Sequence, residues 1–185
     1  MMNKLTSKFK IFEQKCMMTY IKLKIYCNMP IGSKFATKSD IHLLDNLSNK
    51  NGNKKDHKSQ IIINDMLQNL YFFKWLRNDS KAFFGHNYMY NVGIHVVHDY
   101  DKKNWRKGMY MTSLYGLNHW YTEYSECFDD YFLKLNNIFT KDQNKKIAIV
   151  KIIDENNLDF VATSNLSDDE IRTKKINVIK IIDLF

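Results

Sequence analysis

At 185 residues with 44% hydrophobic side chains, the chain is long enough for one ordinary domain with a buried core. Its formal charge of +8 sits at the front: residues 1–60 carry 12 Lys against 4 acids, while residues 61–185 balance 16 Lys and Arg with 16 acids. With no cationic surplus downstream, and only Arg77, Arg106 and Arg172 to offer a planar fork, composition argues against base-specific nucleic-acid readout and confines non-specific attraction of an anionic polymer to the basic leader.

Leu5, Phe9, Phe12 and Cys16 recur at roughly helical spacing, after which Ile21, Leu23 and Ile25 alternate with Lys22 and Lys24. The pattern predicts a short helix followed by a strand, together forming a basic leader over residues 1–45. Such a helix presents a solvated lysine face, or a face for a membrane surface or an acidic partner. Lys22 and Lys24 interrupt the apolar run well short of the about 20 residues that cross a bilayer, so neither a membrane span nor a secretory signal is expected. Residues 46–60 hold almost no apolar anchor and read as a flexible polar linker.

A folded domain is expected over residues 61–185. Met66, Leu67, Leu70 and Tyr71 line one face of a short helix. Phe72 to Arg77 then reads as a strand, ended by the turn chemistry of Asn78-Asp79-Ser80. Gly85 and Gly93 mark bends around Tyr88 and Tyr90. After a polar loop carrying Trp105, Gly108 opens the strand Met109-Tyr110-Met111, and Thr112 or Ser113 is placed to cap a helix reaching about Tyr121. The clearest strands are Lys146 to Ile153 and Ile176 to Ile182. Between them, Asp168-Asp169-Glu170 reads as a solvated corner, with a cation site as the sharper alternative. The whole predicts an α+β fold: a mostly antiparallel sheet of about five strands with one or two helices packed on one face.

Chemistry-bearing motifs are sparse. Cys16, Cys27 and Cys127 cannot all pair within one chain, which fits a reducing compartment, and Cys127 stands beside Glu126, where a thiol is not activated. His95 and His98 are an odd number of residues apart, which sends two strand side chains to opposite faces, so no metal site is expected. No nucleophile elbow, P-loop or dinucleotide fingerprint occurs. The aromatic residues of the middle third remain, and Trp105, Tyr110, Tyr115 and Trp120 are the candidate binding residues.

Two resemblances bear on function. Gly108-Met109-Tyr110-Met111-Thr112-Ser113 resembles the second motif of the diphtheria-toxin-like ADP-ribosyltransferases. That resemblance implies NAD as cofactor, Tyr110 stacking on nicotinamide, and His86 and Glu155 as catalytic companions; a structural Tyr110 is the plainer reading. The second resemblance is carried in order by Phe72 to Leu76, Gly85 to Tyr88 with Gly93-Ile94, Gly108 to Thr112, Leu117 to Tyr124, Ile147 to Ile153 and Lys175 to Ile182. Over about three-fifths of the chain this succession resembles the small domain ahead of the ankyrin repeats in mimivirus-type giant-virus proteins, here without a 33-residue repeat. The resemblance implies an accessory protein of the host cytoplasm or virion interior. A non-enzymatic protein-interaction module without a cofactor, meeting a host or viral protein, is the expectation; an ADP-ribosyltransferase-like NAD-dependent enzyme is the alternative.

Overall fold

The computed structural model describes residues 2–49, 57–82, 88–98, 108–117, 146–153, 161–163 and 170–184. In chain order these form α1 (Met2–Cys27), β1 (Lys34–Phe35), α2 (Lys38–Asn49), α3 (His57–Asn69), β2 (Leu70–Leu76), β3 (Gly93–Val96), β4 (Met109–Thr112), β5 (Lys146–Ile152), β6 (Val161–Thr163), β7 (Glu170–Thr173) and β8 (Lys175–Asp183). The strands make one sheet in the order β3-β8-β5-β2-β4-β7-β6, with β1 paired to the start of β2. Every pairing is antiparallel except β1 with β2. The α+β class and the mostly antiparallel sheet agree with the sequence; the sheet is wider than about five strands.

Strand β2 explains the layering. Leu-Tyr-Phe-Phe-Lys-Trp-Leu is apolar on both parities, and such a strand is stable only where both faces are covered. Leu70, Phe72 and Leu76 join a core with Ala148, Val150 and Ile152 of β5, Ile41 and Leu44 of α2, and Ile63 and Leu67 of α3. Phe73 and Trp75 face the other way, into a second core with Ile147 and Ile149 of β5 and Met18, Ile21 and Ile25 of α1. Helices therefore cover both faces, a correction to the one-faced packing expected. A register shift between Ile149 and Val150 lets Val178 and Ile181, three apart on β8, serve the first core while Ile182 serves the second.

Two further expectations are corrected at the front of the chain. The strand expected around Ile21 to Ile25 is the last two turns of α1, because Met18, Ile21 and Ile25 share one helical face and seat it on the sheet. Residues 1–45, read as a leader, thus contribute to both cores. Of the linker expected over residues 46–60, residues 46–49 belong to α2 and residues 57–60 to α3, while residues 50–56 lie outside the described residues. Helix α2 begins at a reciprocal cap: Asp40 N–H donates to Thr37 Oγ1 at 3.2 Å, and Thr37 N–H donates to Asp40 Oδ2 at 2.8 Å. At the far end of α1, Tyr20 Oη donates to Leu184 O at 2.8 Å and Lys24 Nζ to Asp183 O at 3.0 Å, tying the helix to the end of β8.

Candidate functional site

Strand β4 starts from Gly108, whose φ of 125° lies in the region that a Cβ disfavours. From there Met109 and Met111 enter the first core, so Tyr110 and Thr112 face the α1 side. Opposite them on β7, Arg172 pairs with Tyr110 and Glu170 with Thr112, which places two cross-strand polar pairs side by side. Glu170 and Arg172 are 5% and 2% exposed, and Tyr110 is half-buried. Burial pushes the Tyr110 phenol up from its ordinary pKa; the Arg172 guanidinium, which hydrogen-bonds to it, pulls down, and the Glu170 carboxylate pushes up, with an upward net result. A phenol held this way is a neutral hydrogen-bonding group at neutral pH, not a phenolate.

On the opposite face, the Lys74 ammonium donates to Tyr110 O at 2.9 Å and lies 5.2 Å from the centre of the Tyr90 ring. Burial lowers the Lys74 pKa to about 8, against the raising influence of Glu170. Nearby, Tyr88, Tyr90 and His95 form a ring cluster with centroid separations of 5.0, 5.3 and 5.6 Å. His95 Nε2 lies 2.6 Å from Asn91 O, and Nδ1 lies 3.2 Å from Tyr88 Oη. The Asn91 N–H also points to Nε2, at 3.3 Å, so the ring is held from the backbone on one side and from the Tyr88 hydroxyl on the other. Both ring nitrogens are thus engaged, and the described residues include no group of three or more His, Cys, Asp or Glu able to hold a metal ion.

Beyond β4, Ser113 Oγ accepts from the N–H groups of Tyr115 and Gly116, both at 3.0 Å, and caps a helical turn over residues 114–117. Ser113, of the two candidates, is the cap. The turn sinks Leu117 completely and leaves Tyr115 56% exposed. Of the candidate binding residues, Tyr110 and Tyr115 are described, while Trp105 and Trp120 lie outside the described residues, as do His86 and Glu155. The partners of Tyr110 that the sequence reading missed are Glu170, Arg172 and Lys74. Glu170-Ile171-Arg172-Thr173 does carry a polar-apolar alternation, but the preceding Asp168-Asp169 made it read as a solvated corner, which the burial of Glu170 corrects.

At the other end of the sheet, β3 pairs with β8 through residues 93–96, and Val97 N–H continues that ladder to Lys174 O at 2.8 Å. Antiparallel alternation then directs the N–H and C=O groups of Ile94 and Val96 away from β8. Ile94 is 62% exposed, and Val92 and Met89 are exposed beside it. No family model, no curated protein and no solved structure matches the chain.

Proposed function

We propose that the chain is a non-enzymatic protein-interaction module, an accessory protein of the giant-virus kind resembled by the chain from Phe72 onward, meeting a host or viral protein in the host cytoplasm or virion interior. The observation that carries this reading is β3: the last strand of the sheet order turns a backbone donor and acceptor at Ile94 and Val96 outward, with Ile94, Val92 and Met89 exposed around them. An extended segment of a partner adds to such an edge through main-chain hydrogen bonds, and the apolar side chains supply selectivity. Tyr115, an exposed ring on a capped turn, is a second contact of the amphipathic kind that interfaces favour.

A photo-crosslinking phenylalanine analogue at position 94 is expected to capture a discrete protein partner. Val96→Pro removes an outward N–H without touching the β8 ladder, and is expected to abolish the adduct while the chain stays folded. Adducts identical to those from the exposed turn position Asn78, or adducts indifferent to Val96→Pro, would overturn the reading.

A further inference from the structure

We propose that the outward face of α1 docks on an anionic lipid bilayer, with the helix lying flat in the interface and the sheet behind it. Met18, Ile21 and Ile25 bind α1 to the sheet, yet the opposite side is mostly apolar: Phe12, Cys16, Tyr20, Leu23, Tyr26 and Cys27 are all exposed, around a polar Thr19 whose hydroxyl is turned back to Lys15 O, with Tyr20 at the edge where its hydroxyl meets Leu184 O. At 100° per residue these six positions span an arc of about 120°. Exposed Lys15 and Lys22 run along one border, and α1 as a whole holds six lysines against one glutamate. Ile31, in the turn after the helix, is fully exposed as well. No described helix is long and apolar enough to cross a membrane. A broad apolar arc with a basic border, on a helix of this kind, matches the interfacial geometry: rings and Leu enter the acyl boundary, and lysines reach anionic headgroups.

The complementary charge favours the bilayer over a second copy of the chain. Lys15 and Lys22 stand seven residues apart on the same border, so antiparallel pairing of two copies sets lysine against lysine. An anionic bilayer instead gains about 1 kcal/mol per lysine near its surface, or about fivefold in partitioning. This surface is on a different element from β3, so either proposal can fail without the other.

Co-sedimentation of the full chain with vesicles of phosphatidylcholine containing about 30% phosphatidylserine tests it, with pure phosphatidylcholine as the neutral control. Binding is expected to the anionic vesicles alone and to fall steeply between about 0.05 and 0.3 M salt. Lys15→Gln with Lys22→Gln is expected to lower partitioning by about 25-fold. Leu23→Ser, at a site 58% exposed and so without consequence for folding, is expected to lower it by about tenfold. Ile94→Glu leaves it unchanged, and circular dichroism confirms that each variant is folded. Three results would overturn the proposal: no binding to anionic vesicles, binding that needs the lysines but ignores Leu23→Ser, as for a simple polyanion, or a dimer by light scattering that excludes vesicles.

Discussion

Lys74 is a residue whose protonation the fold moves toward the neutral range. Burial holds its pKa near 8, below the roughly 10.4 of an unfolded chain, so between those values the unfolded state binds more protons and stability rises with pH. Below pH 8 the cost of the buried ammonium is fully present. Across the window the change is on the order of 2 kcal/mol, discounted for the partial exposure of the side chain. Tyr110 and Tyr90, whose pKa values are raised, act in the opposite sense only once pH passes the usual phenol value of about 10. Urea unfolding at pH 7 and pH 9.5 should therefore show the wild type gaining stability with pH. Lys74→Met should be about 1 kcal/mol more stable at pH 7 and lose most of that rise, since an apolar isostere of a buried charge is often favourable. A destabilised Lys74→Met with the same pH response would count against this account. The lysine was visible in the sequence only as the polar member of an aromatic strand. Its neighbours Tyr110 and Glu170 lie 36 and 96 positions away, a separation no local period reports.

Helices and strands differ in how plainly they were written. Strands β2, β5 and β8 were legible because each is an apolar run covered on both faces or nearly so, and such runs stand out against polar loops. Helix α1 was half legible. Over Ile21 to Ile25 an alternating and a helical period fit equally well, and only the extension back to Met18 decides between them. Helix α2 was missed although Thr37-Lys38-Ser39-Asp40 carries the capping-box spacing ahead of Ile41 and Leu44; the Asn-Lys bias of the region hid it. The cap gives a prediction at this scale. Thr37→Ala removes the acceptor of the Asp40 N–H and should lower stability by about 1 kcal/mol in urea, whereas Thr37→Ser should retain most of it. Equal losses for the two variants would mean that the methyl group matters and the cap does not.

For the molecule as a whole, the decisive matter is that α1 is a structural layer and not an appendage. Ile21 and Leu23 are two residues apart on one helix and nearly identical in hydrophobicity, so sequence alone assigns them the same weight. The fold separates them: Ile21 is fully buried against Phe73, Ile149 and their neighbours, while Leu23 is 58% exposed. Ile21→Ala removes buried methyl groups and leaves a void between helix and sheet, at a cost of about 2 to 4 kcal/mol. Leu23→Ala removes only surface contacts and should stay within about 0.5 kcal/mol of the wild type. Parallel urea titrations of the two variants read that difference directly as a shift in midpoint at constant slope. A leader detached from the domain would make both substitutions neutral, and a helix seated in the other rotation would make Leu23→Ala the costly one. Only the seating described here places the cost at Ile21 and leaves the Leu23 face free for a second task.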